Sequence, residues 1–365
     1  MLPRSCQALS GLVLLLVAWG CGPSVPERDD ADAVIWASGP PLPSPVTNNA
    51  VAAVRTDSGV SVFSFLGMDS TKAWGGVTGA AYRWDVGTDG GWRTVPSVPG
   101  PGRLAATAQA VRGKIYVMGG YTVARDGRER TVSDVDVYDP ATDTWSRGAD
   151  IPVPVDDAVS GVWRDSLIVL VSGWHDTSNV GDVQWYDPAA DRWSAGTPIA
   201  GTPVFGHTGT VVGDEIVYVD GVRVADGDPR FALNDDDWVG RVTPDGPGAV
   251  EWSTLPPHPP PGLYRAAGGA LGRLALFVGG TSNPYNYDGV GYDGTPAEPI
   301  RQVLAFAPGA GEWRTLAAPP LATMDHRNLG VAGGMVFLVG GMEAGQKVSG
   351  KVWFARADKL LATIW

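Results

Sequence analysis

The chain has 365 residues, of which 50 are glycine, 30 proline and 15 tryptophan, a composition that suits many short strands and turns and argues against long helices. Its formal net charge is −12, from 27 basic and 39 acidic residues. No Lys/Arg stripe stands against that balance, so a nucleic-acid footprint is excluded. With only Cys6 and Cys21, the chain has no disulfide framework.

In chain order, Arg4 precedes an apolar run from Gly11 to Ala18 and then small residues before Cys21. The run is too short for an ordinary transmembrane span and reads as an export signal over residues 1–20. Val17-Ala18-Trp19-Gly20-Cys21 resembles a bacterial lipobox. That resemblance implies acylation of Cys21 and, with Gly22 rather than Asp after it, an outer-membrane lipoprotein touching the membrane through its lipid alone. The alternative is a soluble secreted chain cut nearby. Residues 21–32, rich in Pro and Asp, read as a tether.

From residue 33 to 365 the chain is an array. Trp36, Trp92, Trp145, Trp193, Trp252 and Trp313 recur roughly every 50–60 residues, the mark of a repeated supersecondary unit. The clearest unit has four short alternating strands, a to d: Ala105 to Val111, Gly113 to Gly120, Val135 to Tyr138 and a last one holding Trp145. Strand b ends in glycine at Gly67, Gly119-Gly120, Gly173, Gly221, Gly279-Gly280 and Gly340-Gly341. Strand c closes on Trp84, Tyr138, Tyr186, Phe306 and Phe354, with only Val242 in the fourth unit. These tryptophans read as architecture, large side chains packed into each unit.

Double glycine, a closing aromatic and Trp about seven residues later resemble the kelch repeat of β-propellers. The resemblance implies an all-β, six-bladed kelch-type β-propeller forming one domain. Ring closure has two candidates, Ala33 to Trp36 and Lys359 to Trp365, and the spacing of Trp36 favours the N-terminal segment.

Ligands of such rings meet the channel mouth, where the segments leading into strand a carry Arg103, Asp156-Asp157, His207, Arg265 and Asp325-His326-Arg327. Their bland role is to satisfy buried polar groups. Converging arginines would otherwise suit an anionic or polyhydroxyl ligand. The b–c loops add Trp174 and His175, with Trp174 placed to stack on a sugar. The fifth loop, Asn283 to Pro299, holds Tyr285, Tyr287 and Tyr292 in a Tyr/Asn/Gly setting typical of recognition surfaces; a structural plug over the channel is the alternative. Asp176, Ser178, Asn179 and Asp182 have calcium-loop spacing without the closing Glu. No metal and no cofactor is expected.

Two enzyme families come into view. Galactose-oxidase-like copper chemistry needs a Tyr–Cys crosslink, for which no mature cysteine is free. The Ala73-Trp74 loop and the long fifth-blade insertion are similar to the N-acetylneuraminate epimerase family. There the resemblance implies an acidic residue where this chain has Val222, and an arginine that Arg230 can match. Asp220 or one of Asp235, Asp236 and Asp237 could stand in for the acid. The sequence therefore points to a monomeric, non-catalytic propeller binding carbohydrate or protein, with a sugar epimerase or a passive scaffold as alternatives.

Overall fold

A computed structural model describes residues 35–57 and 59–364 of the chain. The signal, Cys21 and the tether lie outside the described residues, as do Ala33, Val34 and Trp365.

Six four-stranded antiparallel sheets follow one another along the chain, which makes the molecule a six-bladed β-propeller. Blade two is typical: Thr107–Val111, Lys114–Met118, Val135–Asp139 and Thr144–Arg147 are its strands a to d. Blade six takes three strands from the C-terminal side and its outermost strand, Trp36–Ser38, from the N-terminal side, with Trp36 opposite Ala355 and Ser38 opposite Trp353. The C-terminal candidate instead becomes a short helix, Ala357–Leu361, that buries Leu360. Its Ala, Lys and Leu residues favour helix, and the β-branched Thr363 and Ile364 fall in the 3-10 turn Ala362–Ile364 that follows.

The core lies between the blades. Phe63 and Phe65 of blade one meet Tyr138 of blade two at 5.7 and 5.9 Å between ring centroids, and Trp84 meets Phe337 and Phe354 of blade six at 5.9 Å. The repeated tryptophans are not deep core, contrary to the sequence expectation. Trp36 is buried, but the other five are half-buried. Each indole N–H donates to a carbonyl in the segment leaving the preceding blade: Trp92 to Pro40, Trp145 to Pro96, Trp193 to Ala149, Trp252 to Thr197, Trp313 to Pro256 and Trp36 to Ala317, at 2.7 to 3.3 Å. The result is a ring of blade-to-blade latches.

In most blades the latch tryptophan faces the closing aromatic of strand c, as Tyr138 faces Trp145 and Phe306 faces Trp313. In blade four the residue opposite Trp252 is Gly240, not the expected Val242. A Cβ on Gly240 would stand 2.6 Å from the Trp252 ring, so the indole fills the space an aromatic would take. In blade six the register places Ala355, not Phe354, opposite Trp36.

The glycine at the end of strand b answers to a close approach. A Cβ on Gly120 would lie 2.5 Å from the Leu104 carbonyl, and φ there is +90°, a conformation that favours glycine. The residue before it also has positive φ, and in blade four Asp220 holds that place at φ 53°.

Candidate binding site

At one end of the ring, the b–c connections fold into small hairpins. Tyr121–Val123 pairs with Glu129–Thr131, Trp174–His175 with Ser178–Asn179, and Val222–Val224 with Phe231–Leu233. Strand alternation sends Tyr121, Trp174 and Phe231 inward. The fifth-blade loop is internally tied, with Tyr285 bridged to Gly291 and the Asn283 amide donating to the Thr295 hydroxyl at 3.0 Å. It is also tied outward: the Lys72 ammonium donates to the Asp288 carbonyl at 2.8 Å, and the Gln346 amide to the Ala297 carbonyl at 2.7 Å. The loop is thus strapped to blades one and six.

These parts enclose a cavity of about 240 Å³. Its floor is Tyr121, Phe205, Asp156, Asp157 and Arg265, all buried. Trp174, Phe231, Tyr292 and Asn286 form the walls, and exposed Glu129, Asp176 and Arg230 form the rim. The Phe231 and Tyr292 rings stand 4.4 Å apart, and the Arg230 guanidinium lies 5.2 Å from the Phe231 ring and 5.6 Å from that of Trp174.

Beneath the cavity lies a buried ion network. The Arg265 guanidinium meets Asp157 at 2.6 Å and Asp325 at 3.4 Å, while Arg327 reaches Asp157 at 2.8 Å. The Thr47 hydroxyl donates to Asp325 at 2.6 Å. Two guanidinium groups thus face two carboxylates. Burial would raise Asp157, but Arg265 and Arg327 outweigh it and hold the carboxyl below its ordinary value. Asp156 is pushed well above its ordinary value, first by burial and then by the neighbouring charge of Asp157. Its carboxylate oxygen takes the Thr131 hydroxyl at 2.7 Å. The two adjacent carboxyls of the floor are thus shifted in opposite directions.

Of the residues singled out from sequence, Asp156, Asp157, Trp174, Asp176, Arg230, Arg265 and Tyr292 share this cavity. The others go elsewhere. Arg103 is buried in blade two against Asp136 at 2.8 Å and Asp134 at 3.4 Å. His175 donates Nδ1–H to the Pro154 carbonyl at 2.8 Å. His207 donates to the Val171 carbonyl at 2.9 Å, and His326 shares a 3.0 Å hydrogen bond with Thr323; burial lowers both imidazoles to about 4. Arg327 belongs to the ion network below the floor. Tyr285 is fully buried among Phe205, Val222, Tyr264, Met324 and Met342, so it is core and not a platform. Tyr287 packs on Met68, Leu104 and Tyr121.

The residues replacing the expected acid also need correcting. Val222 is buried, and none of Asp220, Asp235, Asp236 and Asp237 lines the cavity; the carboxyls at its floor are Asp156 and Asp157. The sequence reading also passed over Tyr121, Glu129, Phe205 and Phe231. The alternation of the hairpin strands was the available signal, but short loops of mixed polarity hide it.

Fold and site together define a six-bladed β-propeller with a polar, aromatic-walled cavity at its loop end. The family description "Kelch motif" matches residues 102–152. Among curated proteins, the chain is 30% identical over 139 residues to the Kelch-like protein terF of Aspergillus terreus, covering 37% of this chain and 29% of that protein. It is 39% identical over 69 residues to the N-acetylneuraminate epimerase of Yersinia enterocolitica, covering 18% of each. The chain thus spans under a third of the length of either relative. A solved structure, "Structure of YjhT", superposes with a TM-score of 0.69 at 17% identity, over 86% of this chain and 95% of that one, which supports the fold.

Proposed function

We propose that the protein binds a small, neutral carbohydrate in this cavity. The observation that carries the reading is the pairing of aromatic walls with a floor of buried hydrogen-bonding groups in about 240 Å³. That volume is just below the range of roughly 300–1,000 Å³ typical of drug-sized ligands, so it suits one sugar ring. Ring faces stack on Trp174 or Tyr292, and hydroxyls meet Asp156, Asp157 and Asn286.

Charge selects within the sugars. Arg265 and Arg327 are already matched by Asp157 and Asp325, and at the rim Arg230 stands alone against Glu129 and Asp176. A carboxylated sugar would meet more negative than positive charge. This turns the sequence expectation of an anion-binding arginine ring toward a neutral ligand. Saturation-transfer NMR with neutral hexoses, N-acetylhexosamines and N-acetylneuraminate tests it. Neutral sugars are expected to bind to the wild type and not to Trp174→Leu; preferential binding of N-acetylneuraminate would overturn the reading.

One observation favours a second reading, a sugar anomer-interconverting enzyme: the Asp156 carboxyl, raised by burial and by the neighbouring Asp157, lies in the cavity where a general acid or base would act. The partial likeness to an N-acetylneuraminate epimerase supports it. Enzyme-dependent acceleration of anomer exchange, followed by NMR and abolished in Asp156→Asn, is the expected signature; unchanged exchange rates across the sugar panel would leave pure binding. The lipobox-like segment ending at Cys21 supports export and membrane anchoring. Under that reading Cys21→Ser moves the protein from the detergent phase to the aqueous phase.

A further inference from the structure

Away from the cavity, Asp220, Asp237 and His258 come together, each offering one ligand atom, with those atoms all within 4.8 Å of one another. They derive from three separate places in blade four. Asp220 follows strand b, Glu215–Val219; Asp237 immediately precedes strand c, Trp238–Val242; His258 lies in the segment after strand d, Val250–Thr254. We propose that these three side chains bind a divalent transition-metal ion of zinc type, clipping the fourth blade together.

The imidazole is already oriented as a ligand. Its Nδ1–H donates to the Pro259 carbonyl at 2.7 Å, which aims Nε2 at the carboxylates, 2.7 Å from Asp220 Oδ2. Metal-bound histidines are commonly set by such a hydrogen bond on the distal nitrogen. Asp237 is 4% exposed; its Oδ2 accepts the His258 backbone N–H at 3.1 Å, and its Oδ1 is buried without a hydrogen-bond partner. Buried acceptors are almost always satisfied, so this oxygen is a lone pair in want of a cation. The ion would occupy the place of the Nε2 proton.

Two carboxylates and one imidazole, with a water completing four-coordination, make a donor set for zinc and exclude calcium, which takes oxygen ligands only. Metal bonds of roughly 2.0–2.2 Å separate tetrahedral ligand atoms by about 3.3 Å. The contact between His258 and Asp220 therefore opens by roughly half an ångström on binding. The location also has a structural logic. Blade four is where Gly240 replaces the closing aromatic, and the His258 ring packs on Trp313 of blade five at 5.7 Å between centroids. A clip here ties this blade to itself and to its neighbour.

The test uses the whole purified protein, as isolated and after unfolding and refolding with Zn²⁺, so that a closed site can load. Elemental analysis after gel filtration should find one Zn²⁺ per chain in the refolded protein, EDTA should lower its Tm, and Co²⁺ substitution should give visible d–d absorption. Asp237→Asn keeps the shape and should weaken Zn²⁺ binding about tenfold or more, with the near-UV circular dichroism of the fold retained. Absence of retained zinc after refolding, or equal retention in Asp237→Asn, overturns the proposal, as does a preference for Ca²⁺ over Zn²⁺.

Discussion

The outer rim and the inner loop end of this propeller are held by opposite means. At the rim, six indoles each make one hydrogen bond to the preceding blade from a half-buried position, Trp36 alone being buried. The same interaction is repeated, and each copy is dispensable in proportion. At the loop end, Arg265 and Arg327 join Asp157 and Asp325 from three blades in one buried network. There nothing is repeated, and each member leaves another stranded if removed. Redundancy at the edge and uniqueness at the axis let the ring tolerate change in its motif while the site stays fixed.

Removing Arg265 should break the contrast most sharply. Arg265→Ala leaves Asp157 and Asp325 buried with too little positive charge, and loss of one partner from a buried pair typically costs about 3–5 kcal/mol. Urea unfolding measures it; a loss no larger than that of a rim tryptophan would erase the distinction between the two regions.

Acid should act on the axis next. His207 and His326 are buried and neutral, with burial lowering each from 6.5 to about 4. Their folded values lie below the unfolded one, so their contribution is complete above pH 6.5 and is lost as pH falls toward 4. The shift corresponds to roughly 3 kcal/mol each. Relative to a His207→Gln, His326→Gln double variant, the wild type should lose stability through that window. A difference that stays flat with pH would show both imidazoles to be protonated or solvated in the fold.

A rim latch should matter less. Trp145→Phe keeps an aromatic ring and removes the bond to Pro96, an expected loss of about 1 kcal/mol in the same unfolding assay. Smallest in stability is Arg230→Gln, whose exposed side chain donates to the Thr177 carbonyl and covers Trp174. Thermal unfolding should move by no more than about 0.5 kcal/mol, while sugar affinity changes clearly. If affinity is unmoved, Arg230 is only a rim ornament and the ligand sits deeper.

The rim was legible in the sequence because it repeats: Trp92, Trp145, Trp193 and Trp313 announce themselves by spacing, and Trp36 identified the closing strand. Blade four misled because Gly240 carries no side chain to recognise, so the eye passed to Val242. The site was harder because its parts occur once each. Arg103 precedes the bridged residue of its blade, Leu104, whereas Arg265 follows its counterpart Tyr264, and that two-residue offset turns one toward Asp136 in its own blade and the other toward Asp157 and Asp325. Tyr285, Tyr287 and Tyr292 look alike in a loop, but the bridge from Tyr285 to Gly291 folds one ring into the core and leaves another on the cavity wall. Glu129 and Phe231 gain meaning only when their hairpins pair. Of the trio proposed to bind metal, Asp220 and Asp237 stood out in the sequence only as acids, because their meeting with His258, 38 residues from Asp220, depends on the folded blade.

Closure by Trp36–Ser38 also sets a timetable. During synthesis this strand is made before all five complete blades, and its partner Val352–Arg356 is made after them. This strand therefore waits for a partner made more than 300 residues later, and such non-local pairing slows folding and exposes strands to wrong partners. Any chain that stops before residue 352 lacks the strand that pairs with Trp36–Ser38 and cannot close its ring.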